Sequence, residues 1–123
     1  MLVAIAIPVF TSQLEKSREA TDAANIRSAY AECSAAVLSE SNDGVNGVTY
    51  TAGTATAVAQ ATKDVAIKQA VSGWVSSGEI AGTKYGPSET GIPAVVNGDK
   101  VTVTCKADGT WTCTKKAAAG GGN

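Results

Sequence analysis

The 123-residue chain has no histidine, a single phenylalanine, a single methionine and three prolines. Without histidine the commonest general base and the commonest zinc ligand are missing, which excludes a Ser-His-Asp triad and any His-bearing metal site. An excess of charge of one sign is missing too. Ten Lys and Arg stand against eleven Asp and Glu, a formal net charge of −1, so the molecule as a whole has no positive field to hold nucleic acid or an anionic membrane surface. Aromatic residues make up 5% of the chain, leaving few platforms for base stacking or for a large aromatic ligand pocket. There is no Asn-X-Ser/Thr acceptor for N-glycosylation. Ser, Thr and Asp are scattered through predicted loops with no spacing that converges acid, base and nucleophile, so the chain reads as a non-enzyme that needs no cofactor or metal. Its length suits one domain with its own core.

What is present is unevenly distributed. Residues 1–10, Met-Leu-Val-Ala-Ile-Ala-Ile-Pro-Val-Phe, contain no polar side chain. Such a run is about half of the roughly 20 apolar residues that span a bilayer as a helix. It also lacks the basic leading region and small-residue cleavage site of a secretory signal. Two readings remain: a buried helix end, or the downstream half of a longer apolar segment that begins before Met1.

Thr11 to Ser39 contains no Gly or Pro and is rich in Ala, Glu, Lys and Arg, which predicts helix. Ala23, Ile26, Tyr30, Cys33 and Val37 follow one another at spacings of 3, 4, 3 and 4, a single stripe in need of a partner. The polar stretch Ser39 to Gly44 is the expected stop, with Gly at its end. Pro8, which lacks an N–H and crowds the carbonyl of Ala4, is expected to kink or loosen the helix. A helix of about 38 residues would measure roughly 57 Å. A compact globule of this chain length has a radius of gyration near ~14 Å and a diameter of about 35 Å. The helix must therefore protrude. Met1, Leu2, Val3, Ile5, Ile7, Val9 and Phe10 then represent an upper bound of roughly 10–20 kcal/mol of unrealised burial. Something outside the monomer has to cover them.

The second half reads as sheet. Val95 to Val101 carries Asn97-Gly98 between β-branched runs, a hairpin signal. Val101, Val103 and Cys105 alternate with Thr102 and Thr104, giving one apolar and one hydroxyl-bearing face. A second hairpin is expected around Ala107-Asp108-Gly109 with Gly109 left-handed. That register sets Lys106 opposite Thr110 and Cys105 opposite Trp111, and puts Trp111 and Cys113 on the apolar face. In between, Val45 to Ala57 reads as a loop with a short strand at Val48 to Thr51. Val58 to Val75 has helical spacing and a candidate cap at Thr56, predicting a second, shorter helix. Thr83 to Pro93 reads as loop. The expected fold is α+β: a long protruding N-terminal helix (1–40, with 1–14 the uncovered part) on a C-terminal antiparallel sheet within a head at 41–114, followed by a flexible tail at 115–123.

Glu15, Lys16, Arg18, Glu19, Asp22 and Arg27 lie just beyond the apolar run. Arg18 and Asp22 are spaced for an intrahelical pair worth a few tenths of a kcal/mol; the alternative is pairing between subunits near a water-poor core. Cys33, Cys105 and Cys113 leave several arrangements open. Cys105 and Cys113 are diagonal across the hairpin and would make a strained bridge, Cys33 can reach the same sheet face, and all three can remain reduced and buried.

One resemblance gathers these features. Ala4-Ile5-Ala6-Ile7-Pro8, ending the apolar stretch and followed by Thr-Ser-Gln-Leu-Glu-Lys-Ser-Arg-Glu-Ala, resembles the downstream half of the N-terminal helix of type IV pilins. Ala107 to Cys113 is similar to a sheet hairpin of some members. The family's processed start, Phe-Thr-Leu-Ile-Glu, does not occur in the chain, so the resemblance implies that Met1 lies downstream of it. It implies a subunit held in the cytoplasmic membrane by its apolar helix before the pilus assembly machinery packs it into an extracellular filament on the bacterial surface. Met1, Leu2, Val3, Ile5, Ile7, Pro8, Val9, Phe10 and Leu14 would then make self-contacts in the filament core. Adhesion to a host surface, motility or DNA uptake are the family's uses. A pseudopilin of a type II secretion or competence system is the alternative, with the same helix and a similar head.

Overall fold

A computed structural model describes the backbone of residues 6–41, 47–69 and 73–116, with the side chains of α1 described from Gln13 onward. Helix α1 spans Ala6–Ser39. Six strands follow: β1 Thr49–Thr51, β2 Gln60–Ala66, β3 Gly78–Ile80, β4 Thr83–Tyr85, β5 Lys100–Lys106 and β6 Trp111–Lys116. Strands β1, β2, β5 and β6 form an antiparallel sheet in the order β1-β2-β5-β6, while β3 and β4 form a separate two-stranded hairpin. The class is α+β, with one N-terminal helix lying on an antiparallel sheet.

At 34 residues α1 is about 51 Å long. Its buried positions, Glu15, Glu19, Asp22, Ala23, Ile26, Ala29 and Cys33, form the stripe that faces the head, flanked by half-buried Tyr30 and Val37. The expected stripe is therefore the real one, extended by three carboxylates at its N-terminal end. The helix stops by a device different from the glycine expected at its end. Glu40 takes a left-handed φ of 52°, its N–H donates to the Val37 carbonyl, and the Ser41 N–H donates to the Ala36 carbonyl, both at 3.3 Å. This is the Schellman pattern with Glu at the position glycine usually fills; Gly44 lies outside the described residues. Pro8 is the third residue of the described helix, and Ala4, whose carbonyl it was expected to free, lies outside the described residues.

The β5–β6 hairpin has the expected register. Cys105 stands opposite Trp111 and Val103 opposite Cys113. The Lys106 N–H donates to the Thr110 carbonyl and Gly109 takes φ 93°, a conformation that a side chain would strain. Val101, Val103, Cys105 and Cys113 are buried, and α1 packs on β2 and β5. The outer face carries a straight row of threonines, Thr49, Thr62, Thr104 and Thr112, each opposite the next across all four strands. β1 also falls where a short strand was expected.

Four expectations are overturned. Val58–Val75 is not a helix: β2 occupies its centre, with Ala61, Val65, Ile67 and Gln69 buried at alternate positions and Asp64, Ala66 and Lys68 exposed. Pairing with β5 along seven residues overrides the helical spacing, and it is Thr54, not Thr56, whose hydroxyl accepts local N–H bonds, from Thr56 and Ala57. Asn97-Gly98 does turn the chain, with the Asp99 N–H donating to the Val96 carbonyl, but residues 93–96 form no strand. β5 has two edges, and β2 and β6 occupy both. The Thr83–Pro93 loop begins with β4, folded back on β3. Lys115 and Lys116, expected in the tail, belong to β6, which runs through Lys116; the rest of the expected tail lies outside the described residues.

Candidate functional site

The residues expected to mediate assembly divide at Gln13. The backbone at Ile7, Pro8, Val9 and Phe10 is helical. Their side chains, and the whole of Met1, Leu2, Val3 and Ile5, lie outside the described residues. Leu14 is described and is 41% exposed, a large apolar side chain on the outer face of the helix. One residue later the stripe turns towards the head. Nine residues of α1, Ala6 to Leu14, thus lie upstream of the first position described as buried, about 14 Å of helix.

The charged band beyond it is used within the chain. Glu19, 1% exposed, accepts the Val75 N–H at 2.7 Å and the Ser76 N–H at 2.9 Å. Asp22 accepts the Lys68 N–H on both oxygens, at 2.9 and 3.1 Å, and the Gln69 N–H at 2.9 Å. Burial pushes the Asp22 carboxyl above its ordinary value of 3.8, the backbone N–H bonds opposing but not cancelling that cost. The expected Arg18–Asp22 pair does not form. Arg18 pairs instead with Glu15 at 3.5 Å, and Asp22 faces the opposite way, into the loop after β2. Arg27 reaches the Glu79 carbonyl at 3.1 Å, tying α1 to β3. Lys16 is exposed. Glu19 and Asp22 therefore point into the head, serving loops that have no sheet partner for their N–H groups, and Lys16 and Arg18 are left on the outer side with Leu14. Sequence reasoning located the band but not this role. The signal was available in the spacing, because Glu15, Glu19 and Asp22 continue the Ala23–Val37 stripe.

All three cysteines are buried free thiols. Cys105 is met by one turn of α1: its thiol donates to the Tyr30 carbonyl at 3.6 Å, and the Ser34 hydroxyl donates to its sulfur at 3.6 Å. The Cys33 thiol, on the same turn, is its neighbour. The interaction between the two thiols, with the Ser34 hydroxyl adding to it, holds Cys105 below the ordinary thiol value of 9.0, and the same interaction drives Cys33 upward. Cys113 is pushed up to about 12 by burial. Among the described residues no group of three His, Cys, Asp or Glu side chains is placed to hold a metal ion, and no described helix is long and apolar enough to cross a membrane. Comparison of the chain with family models, with curated protein sequences and with solved structures finds no match in any of the three.

Proposed function

We propose that the protein is a structural subunit of an extracellular type IV pilus filament, assembled as a helical homopolymer through the apolar N-terminal part of α1. The supporting observation is the mismatch within one helix. From Glu15 to Val37 α1 is committed to its own sheet, whereas the helix continues upstream of Glu15 into a segment of sequence with no polar side chain over residues 1–10. A helix that is apolar all round is stable when surrounded on all sides, and α1 helices of neighbouring copies, bundled side by side, supply that surround. Before assembly the same segment is held by lipid in the cytoplasmic membrane, and the pilus assembly machinery transfers it from one apolar environment to the other.

The pilin resemblance of Ala4 to Pro8 supports the same reading. In the filament the heads, with their threonine-lined outer sheet faces, form the surface. Contact with DNA or a host surface would be made there rather than by the helices.

Removal of residues 1–14 tests the assignment. The shortened chain should sediment as a monomer in plain buffer, while the full chain requires detergent or associates. Polymers of the shortened chain in electron micrographs, or a full-length chain that stays monomeric without detergent, would overturn it. Filament length separates a pilin, which forms long fibres, from a pseudopilin, which forms short ones.

A further inference from the structure

Cys33 and Cys105 are not two isolated buried thiols. The helical turn carrying Cys33 also supplies both other polar contacts of Cys105, the Tyr30 carbonyl and the Ser34 hydroxyl. Cys33 itself lies against β5, within 3.8 Å of the Val103 carbonyl. The two sulfurs, one on the helix and one on an inner strand of the sheet, are thus neighbours across the α1–β5 contact. Cys113 stands two pairs further along the hairpin, opposite Val103 and diagonal to Cys105. Access is equally unequal. A cavity of about 180 Å³ reaches Cys105 and is lined by Tyr30, Ser34, Val37, Lys106 and Thr110 among others, whereas Cys33 is 0% exposed.

We propose that Cys105 and Cys33 form a disulfide that staples α1 to β5, with Cys105 as the entry sulfur and Cys33 as the resolving one, the oxidant being a disulfide of the glutathione or oxidoreductase class. The geometry fixes the order of events. An oxidant RS–SR entering the cavity meets Cys105 first, and the hydrogen bond from Ser34 stabilises the attacking thiolate. Cys105 Sγ bonds to one sulfur of the oxidant, the S–S bond of the oxidant breaks, and one RS⁻ leaves, taking up the proton released by Cys105. The Cys33 thiol then gives its proton to solvent, and its sulfur attacks Cys105 Sγ and expels the second RS⁻, which is protonated in turn. In balance, two protein thiols are oxidised to one disulfide and one RS–SR is reduced to two RSH. The product joins the first described element of the chain to the penultimate described strand, so α1 is bonded to the sheet near the C-terminal end of its packed stripe. None of this depends on whether copies assemble.

Trypsin makes the test direct, because cleavage after Arg27, Lys63, Lys100, Lys106 and Lys115 puts each cysteine on its own peptide, 28–63, 101–106 and 107–115. The reduced full chain is incubated with oxidised glutathione, blocked with N-ethylmaleimide in denaturant and digested without reduction. The expected product is 28–63 cross-linked to 101–106, with Cys113 alkylated, and a melting temperature raised by on the order of 10 °C that dithiothreitol reverses. Cys113→Ser should behave in the same way. Cys33→Ser should stop at a glutathione adduct on Cys105, and Cys105→Ser should leave Cys33 fully alkylatable. A cross-link through Cys113, a lasting glutathione adduct on Cys105 in the natural sequence, or three alkylated cysteines would each overturn the proposal.

Discussion

Glu19 on α1 and Val75 are joined by a 2.7 Å hydrogen bond from the Val75 N–H, and the second oxygen of the same carboxylate takes the Ser76 N–H. A helix side chain thus performs the task that a neighbouring strand performs in a sheet. Glu19→Ala strands two backbone donors in a part-buried setting, so it should destabilise the fold by about 2–4 kcal/mol. Glu19→Gln, which keeps one acceptor oxygen, should cost about half as much. Urea denaturation followed by circular dichroism reads both; a loss below 0.5 kcal/mol for the alanine variant, a threshold of order the error on such measurements, would contradict the role.

This bond also marks where the sequence stops being readable. The helix, its stripe and the β5–β6 register follow from local period and from Gly109, and all three can be seen in the chain. The fate of Val58–Val75 depends on a strand some forty residues downstream: Ala61, Val65 and Ile67 alternate, but Lys63 falls on the same face and spoils the pattern. The structure explains the exception, since Lys63 reaches across to Glu32 on α1. Asn97-Gly98 misled for a different reason. Turn chemistry identifies a turn, not the availability of a partner edge, and both edges of β5 are occupied. At the candidate assembly segment the apolar run was plain, while the inward use of Glu19 and Asp22 was hidden behind the habit of reading charges as surface.

The β3–β4 turn offers a gain in stability. Ala81 and Gly82 both have positive φ, 48° and 87°, which is the primed turn of tight hairpins, and Ala is poorly suited to its first position. Ala81→Asn should stabilise the protein by about 0.5–1 kcal/mol. Because the Ala81 carbonyl accepts the Trp111 indole N–H at 3.2 Å, the near-ultraviolet signal of Trp111 should be unchanged. A lower melting temperature would show that the turn is not under this strain.

Two aspartates should titrate in opposite directions. Asp64 is held below its ordinary value of 3.8, first by the Lys116 ammonium and then by Thr102; Asp22 is raised by burial. A depressed carboxylate contributes stability above its unfolded value and loses it as pH falls through the folded value. Asp64→Asn should therefore cost no more than about 0.5 kcal/mol at pH 7, the pair being exposed, and the cost should vanish as pH falls through the lowered value of the folded state. For Asp22 the slope reverses, so the natural chain should gain stability relative to Asp22→Asn as pH falls from the raised value towards 3.8. Carboxyl carbon shifts followed by NMR give the two midpoints directly, and coincident midpoints would refute the assignment.

Gly78 is held by contact rather than by φ. A Cβ placed there would lie 2.5 Å from the Tyr85 hydroxyl, and the Tyr85 ring is packed on Trp74 at 4.6 Å between centroids. Gly78→Ala should displace the tyrosine, cost about 1–3 kcal/mol and change Trp74 fluorescence. An unchanged emission spectrum would mean that the rings tolerate the methyl group.

The order of elements along the chain has a consequence during synthesis. Cys33 and Val103, in contact in the finished fold, are separated by 70 residues. At roughly 5–20 residues per second a ribosome takes about 4–14 s to make that stretch. For that interval the nascent α1 has its inward stripe uncovered as well as its apolar tip. Early shelter by a chaperone or a bilayer is then a requirement of the way the polypeptide is made, whatever the mature molecule goes on to build.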